Sequence, residues 1–178
     1  LSGTGGLDLS APGEIVGDFT INGASGNIMV RSGAGLETTG TITSTGNISL
    51  ETQDDLNIRH TISTTGTLNL EGSNITQEAG GILTVGDLKV SAFSDVLLTQ
   101  AGNSIGRISR LYADSNADIR ISNGDVVLGG LDGDFVSMSA GNNLTIVASG
   151  GSLSLAAGLL VSSGNDIVLA SSGNVSVA

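Results

Sequence analysis

Several residue types are rare or absent among these 178 residues. The chain has no cysteine, no tryptophan and one proline, and its only aromatic residues are three phenylalanines and one tyrosine. Without cysteine, no disulfide can stabilise the fold. With so few aromatic rings, a core must be filled by Val, Ile and Leu, and a single proline is expected where nearly every backbone amide joins a β-ladder. No apolar run reaches the roughly 18 residues of a membrane helix, so the sequence predicts no membrane-spanning segment.

Basic residues are also scarce. Six lysines and arginines face 17 aspartates and glutamates, which gives a formal net charge of −11 at pH 7. This charge opposes nonspecific attachment to nucleic acid or to an anionic membrane. The sequence therefore predicts no nucleic-acid partner.

Glycine is abundant, at 28 residues, and much of it belongs to a repeat. The pentapeptides at residues 26–30, 46–50, 66–70 and 86–90 share the pattern Gly-x-aliphatic-x-aliphatic and begin twenty residues apart. Two further columns of aliphatic residues keep nearly the same interval. They are Leu36, Leu56, Ile75 and Val96, and Ile42, Ile62, Ile82 and Ile105.

Three apolar positions in each period describe a turn with three sides. Within each side, apolar and polar residues alternate, which is typical of a strand with one face in the core. Twenty-residue periods of this kind predict an all-β fold, a parallel β-helix or β-solenoid with one period per turn. About nine such turns fit the length of the chain.

The repeat is not equally regular along the chain. We expect a single β-solenoid segment over residues 1–178, with regular coils at 25–105 and less regular coils at 106–178, where strand spacing varies. Breaks in the regularity of the repeat are expected at 100–112, 114–118 and 129–134. Strand-like alternation continues to Ala178, so we expect this chain to be a segment excised from a longer repeat rod.

The repeated strands resemble those of the filamentous haemagglutinin family, the exoproteins of two-partner secretion in Gram-negative bacteria. The Gly-Asn-aliphatic strands at 26–30 and 46–50 carry the resemblance, together with 141–146 and 173–177 and the stretch 75–106. The resemblance implies a right-handed parallel β-helix, export through an outer-membrane partner, and service as a surface stalk or adhesin. It is to the central repeats of the family, because no convincing counterpart of the amino-terminal secretion domain is found here.

Residues that could carry chemistry are few. The acid pairs Asp54-Asp55 and Asp132 with Asp134 fit turn positions, where Asp accepts hydrogen bonds from turn amides, and His60 has no second histidine or cysteine with which to bind zinc. Residues 129–134 resemble one calcium nonapeptide, but a calcium-binding β-roll needs tandem copies. We therefore predict no enzyme, no catalytic residue, no cofactor and no metal.

Three arginines are the binding candidates. Arg107, Arg110 and Arg120 gather near Asp114 and Asp118 in the irregular middle of the chain, and the stretch 100–118 is the first choice for a binding surface. They can form a local anion or glycan contact, or surface ion pairs of little energetic weight. Separately, Asn27 and Asn47 lie one turn apart and are expected to stack as a ladder of amides along the rod; Asn at such a corner also tolerates left-handed backbone geometry.

The function that these features favour is structural. We expect a non-enzymatic stalk or adhesin segment of a secreted bacterial cell-surface filament, which provides reach and, as an adhesin, contacts a host or bacterial surface protein or glycan. One alternative is a polysaccharide-binding or polysaccharide-degrading β-helix, although scarce aromatics disfavour it. Another is an extracellular fibre that assembles by end-to-end self-association.

Overall fold

The computed structural model describes residues 7–11, 21–130 and 137–178. Asp132, Asp134 and most of the calcium-like stretch lie outside the described residues. Throughout the described part the chain is all-β, with twenty strands and no helix, and the strands form two sheets. The sequence-based prediction of a β-solenoid is confirmed.

The small sheet has seven strands, one from each turn. They are β4 (Leu36–Thr38), β7 (Leu56–Ile58), β9 (Ile75–Gln77), β11 (Val96–Leu98), β13 (Ala117–Ile121), β16 (Leu144–Ala148) and β19 (Ile167–Ser171).

The large sheet has thirteen strands, because most turns cross it twice. They are β1 (Leu7–Ala11), β2 (Ile21–Ala24), β3 (Ile28–Ser32), β5 (Ile42–Ser44), β6 (Ile48–Thr52), β8 (Ile62–Gly72), β10 (Leu83–Ala92), β12 (Ser104–Ala113), β14 (Val126–Leu128), β15 (Ser137–Ala140), β17 (Leu153–Leu155), β18 (Leu160–Ser163) and β20 (Val175–Val177).

Every strand pairing in the described part is parallel and joins one turn to the next. Ile28 lies beside Ile48, Ile48 beside Leu68 and Leu68 beside Leu88, as the twenty-residue period predicts. In the part of the chain that the structure describes, the small sheet marks seven turns, whereas about nine were expected for all 178 residues. The turns lengthen after Ala117: equivalent corner residues are 27 and then 23 residues apart, so fewer turns fit the chain.

The core is a column of stacked aliphatic side chains. In β6, Ile48 and Leu50 are fully buried and Ser49 lies on the outer face, and the same alternation recurs in the other regular strands. The predicted columns Ile28-Ile48-Leu68-Leu88 and Leu36-Leu56-Ile75-Val96 are both buried and in register. Stacking each residue on its equivalent one turn away buries apolar surface without aromatic rings.

The recurrent glycines lie where successive turns approach most closely. A Cβ atom on Gly86 would lie 2.3 Å from the carbonyl oxygen of Thr65, and one on Gly46 would lie 2.7 Å from the carbonyl carbon of Gly26. Neither distance leaves room for a side chain. At Gly46 and Gly86 the glycine that starts the repeated pentapeptide is therefore a packing requirement.

The third predicted column is wrong after Ile62. Leu83, not Ile82, lies beside Ile62 and is buried. Ile105 lies beside Val85, two positions further along the strand. The corner after Gln77 causes the shift: it contains Gly80 with a φ of 95° and is closed by a 3.0 Å hydrogen bond from Gly81 N to Glu78 O.

The predicted break at 100–112 is also wrong in most of its length. Residues Ser104–Ala113 form the continuous strand β12. Its one irregularity is a bulge: Leu88 pairs with Ile108, but Lys89 pairs with Arg110. On its other side, β12 pairs with two separate strands, β14 and β15.

Candidate functional site

The three candidate arginines do not form one cluster. Arg107 and Arg110 lie on β12 of the large sheet, whereas Arg120 lies on β13 of the small sheet. Arg120 makes a two-pronged ion pair with Asp118, at 3.2 Å from Nε to Oδ1 and 3.1 Å from Nη2 to Oδ2. This hydrogen bonding raises the pKa of Arg120. Arg120 is thus separated from the other two and is already paired.

Arg107 and Arg110 differ in their contacts. Arg107 Nη1 donates a 3.0 Å hydrogen bond to the carbonyl oxygen of Gly130. The side chain of Arg110 is exposed and makes no hydrogen bond or ion pair to any residue in the described ranges.

Lys89 completes this group, and sequence reasoning missed it. It lies on β10 directly beside Arg110 and is exposed, and its side chain has no hydrogen bond or ion pair among the residues that the structure describes. A strict twenty-residue period would place Ser109 beside Lys89. The bulge in β12 brings Arg110 there instead, and no sequence signal marks that bulge.

Both aromatic residues in the described part lie on the surface at the same corner. Phe93 is 62% exposed and Tyr112 is 41% exposed. Phe93 follows β10, and Asp114 lies one turn above it, as the 3.2 Å bond from Asp114 N to Ala92 O shows. The Tyr112 hydroxyl donates to Asp114 Oδ1, which raises the pKa of Tyr112. We call Lys89, Arg110, Phe93 and Tyr112 the cationic–aromatic patch.

A shallow groove leads along the large sheet to this patch. It has a volume of about 430 Å³, and its lining combines apolar surface, which is the larger share, with amide and hydroxyl groups. Within it, Asn69 Nδ2 donates a 3.0 Å hydrogen bond to Ser49 Oγ. The lining residues are Asn27, Ile28, Met29, Asn47, Ile48, Ser49, Thr67, Asn69 and Lys89.

Asp87 lies two residues before Lys89 and has an unusual environment. Its Oδ2 accepts hydrogen bonds from Ser109 Oγ at 2.8 Å and Thr67 Oγ1 at 3.4 Å. Its Oδ1 is buried and has no partner among the described residues. Arg107 is its neighbour in register, yet no ion pair forms within 4.0 Å in the described part.

Two other cations on the rod, Arg31 and Arg59, are paired with acids one turn away. Arg31 Nε lies 2.7 Å from Glu51 Oε2, and Arg59 pairs with Glu37 and, at 2.9 Å, with Glu78. Partial burial raises the pKa of Glu51, but hydrogen bonds from Arg31 and Ser49 outweigh it, so the net shift is downward. The adjacent like charges of Lys89 and Arg110 depart from this arrangement.

A ladder of Asp and Asn side chains runs along the corner that precedes the small sheet. Each Oδ1 accepts the backbone N–H of the equivalent residue one turn later, at 2.9–3.4 Å, and three of the steps add a bond from Asn Nδ2. We call this the Asx ladder; its members are Asp55, Asn74, Asp95, Asn116, Asn143 and Asp166.

The Asx ladder holds the corner through six successive turns. Hydrogen bonds from the Asn116 backbone and, secondarily, from the side chains of Asn116 and Ser115 lower the pKa of Asp95, against an opposing effect of burial. The sequence does carry a signal for the ladder, because Asp or Asn comes directly before six of the seven small-sheet strands.

The predicted Asn27–Asn47 ladder is confirmed with one difference. Asn27 Oδ1 accepts the backbone N–H of Asn47 at 2.9 Å, and Asn47 Oδ1 accepts that of Thr67 at 2.9 Å. The bonds therefore join a side chain to the backbone and not one amide to the next. The role of these two residues is to stabilise the corner.

The remaining acid and histidine candidates are corner residues. Asp54, Asp55 and His60 are exposed, and Asp55 is the first member of the Asx ladder. Nowhere in the described ranges do three or more His, Cys, Asp or Glu side chains come together in a way that could hold a metal ion. Among these residues there is also no helix long and apolar enough to cross a membrane.

Comparison with known proteins relates the regular turns to a repeat family. Residues 45–111 match a family model described as repeats of unknown function, DUF5649. The matched stretch covers the regular turns from β6 into β12, and with them Lys89, Phe93 and Arg110. Neither the curated proteins nor the solved structures gave a match.

Proposed function

We propose that this chain is a non-enzymatic stalk segment of a secreted bacterial cell-surface filament. The observation that carries the proposal is the unbroken vertical stack: the small sheet keeps its register through all seven strands, and the buried aliphatic core is continuous from Ile28 to Leu153. Each turn contacts mainly its neighbours, so such a rod extends by adding turns. Seven strands at about 4.8 Å each span roughly 34 Å.

The outward residues suit a rod surrounded by water. Ser, Thr, Asn, Asp and Glu alternate with the buried aliphatics, and the negative net charge keeps such rods apart in solution. The absence of cysteine is compatible with export of an unfolded chain, which then needs no disulfide. The Gly-Asn-aliphatic strands support a filament of the filamentous haemagglutinin type, exported by an outer-membrane partner and displayed on the cell surface of a Gram-negative bacterium.

Solution scattering tests the stalk role. Small-angle X-ray scattering of the purified chain should give an elongated particle with the cross-section of a single rod, unchanged over a wide concentration range. A compact particle would contradict the stalk proposal. Growth in length with concentration would favour the self-assembling fibre instead.

Display on the cell surface needs a separate test. An antibody raised against the purified chain should label intact cells of the source organism without permeabilisation, and added protease should remove the signal. Labelling that appears only after permeabilisation would contradict display and leave the stalk role to be judged by the scattering data.

A further inference from the structure

We propose that the cationic–aromatic patch binds an oligosaccharide that carries an anionic group. The ammonium of Lys89 and the guanidinium of Arg110 would hold the anion, and Phe93 and Tyr112 would pack against the sugar rings. This inference adds a ligand class to the proposed stalk and does not depend on how the chain is exported.

Two positive charges are placed next to each other in the patch. Lys89 and Arg110 lie side by side on adjacent strands, where like charges repel. Strands in a sheet are only about 4.8 Å apart. Of the six cationic residues in the chain, Arg31 and Arg59 are instead placed next to acids. A bound carboxylate or sulfate would relieve the repulsion, and guanidinium and ammonium groups both bind such anions with charge-assisted hydrogen bonds.

Two aromatic rings are exposed beside these charges. A chain with four aromatic residues would ordinarily bury them, because an aromatic side chain contributes a large apolar area to a core. Here the two described ones, Phe93 and Tyr112, are exposed on adjacent turns at the corner beside the cations. Tyr112 is further held by its hydroxyl bond to Asp114, which pre-orders the ring for a partner.

The groove that reaches the patch favours a sugar chain over a nucleic acid or an anionic membrane. It reaches Lys89 and is lined by Asn47, Ser49, Thr67 and Asn69, whose amides and hydroxyls match the hydroxyl groups of a sugar chain. A nucleic acid or an anionic membrane would bring many negative charges against a chain of net charge −11. One anionic group on an otherwise neutral oligosaccharide keeps the attraction local to the patch.

The test is a titration of the ¹⁵N-labelled chain followed by NMR. The probes are 3′-sialyllactose, which carries one carboxylate, 3′-sulfolactose, which carries one sulfate, and neutral lactose. We expect saturable shifts of the amides of residues 89, 93, 110 and 112 with both charged sugars and at least tenfold weaker binding of lactose. Which of the two charged sugars binds more tightly identifies the preferred anion.

Variants separate the two halves of the patch. Lys89→Gln with Arg110→Gln should weaken the charged sugars at least tenfold, whereas Lys89→Arg with Arg110→Lys should retain binding. Arg31→Gln with Arg59→Gln is the matched control: it removes the same charge elsewhere on the rod and should stay within twofold. Phe93→Ser with Tyr112→Ser should weaken all three sugars, with the dispersion of the other amide signals confirming the fold.

Three results would overturn the proposal. One is the absence of shifts at the patch with every sugar, and a second is equal loss in the patch and control variants. The third is tighter binding of a single-stranded oligonucleotide or of phosphatidylserine vesicles than of either charged sugar. None of these bears on the particle shape seen by scattering, so failure here and failure of the stalk proposal are distinguishable.

Discussion

The two sheets of the solenoid are formed by the same turns and yet differ in regularity. The small sheet has one strand per turn, no register shift in the described pairings, and the Asx ladder at its leading corner. The large sheet has register shifts with an extra residue in β8 and in β12, two separate strands, β14 and β15, that pair with the single strand β12, and the cationic–aromatic patch.

The difference in regularity indicates that the small sheet aligns the turns and that the large sheet carries the side chains exposed for binding. The small sheet sets the vertical alignment of the turns, and because it stays in register the large sheet can take up extra residues without disturbing the core. Loops and bulges then carry the side chains that are exposed for binding. Variants in each sheet test this division between alignment and binding, beginning with the largest expected effect.

Truncating a core residue of the small sheet should have the largest effect. Leu98→Ala in β11 removes a fully buried side chain and should lower the free energy of unfolding by about 2–5 kcal/mol, because it leaves a cavity in the stack. The adjacent Leu97 is 38% exposed, so Leu97→Ala makes the same chemical change outside the core. Urea denaturation should show a much smaller loss of unfolding free energy for Leu97→Ala. Equal losses for the two variants would contradict the placement of Leu98 in the core and Leu97 on the outer face.

Adding a methyl group at a close approach should be the next most damaging change. Gly86→Ala in the large sheet would place its Cβ 2.3 Å from Thr65 O, and the displacement of backbone should cost about 1–3 kcal/mol. In Gly35→Ala the nearest atom, Asp55 O, would be 3.5 Å away, an ordinary contact. Thermal unfolding followed by circular dichroism should separate the two variants, and a Gly86→Ala protein as stable as Gly35→Ala would refute the packing argument.

Breaking the Asx ladder should destabilise the small-sheet corner. Asn116→Ala removes an acceptor for Asn143 N and a donor to Asp95, which should cost about 1–2 kcal/mol. Hydrogen exchange should accelerate at the amides of Asn116 and Asn143. Asn123→Ala is the control, since this exposed side chain makes no hydrogen bond within the described ranges, and its exchange pattern should match the parent protein.

Acid should weaken the ladder through Asp95. Its pKa is lowered in the folded chain, so its contribution to stability is fully present above its unfolded-state pKa and is lost as the pH falls through the lower folded-state value. Asp95→Asn keeps an oxygen acceptor that does not titrate. Its stability should therefore fall less than that of the parent protein between about pH 5 and pH 2.

Urea denaturation across that pH range measures the difference. Asp54→Asn supplies the control, because it removes the same charge at an exposed corner position outside the Asx ladder. If Asp54→Asn altered the pH dependence as much as Asp95→Asn, the effect would come from net charge and not from the ladder.

The smallest effect should come from an exposed ion pair on the large sheet. Arg31→Gln removes the 2.7 Å contact with Glu51, in which the arginine side chain is 54% exposed. Such pairs contribute about 0–1 kcal/mol and less at high salt. Chemical denaturation at low and high salt should show a small loss that shrinks with salt, and a loss as large as that of Leu98→Ala would contradict this assignment.

Much of the fold could be predicted from the residues because the solenoid is nearly one-dimensional. When each turn stacks on the next, a recurring aliphatic residue must meet its own equivalent, so the columns beginning at Ile28 and Leu36 follow from spacing alone. The glycines of the repeated pentapeptides and the Asn27–Asn47 ladder follow in the same way. Local alternation determined which side chains face the core.

Only the tertiary structure decided where that spacing slips. One bulge places Lys89 beside Arg110, a longer corner replaces Ile82 with Leu83 in the core, and the path of the chain carries Arg120 to the other sheet. Shifts of a single residue reverse which side chains point outward, and their position depends on how a corner packs against the turn below it. The amino-acid sequence therefore determined the rod and its period, and the packing of its corners determined which residues meet on its surface.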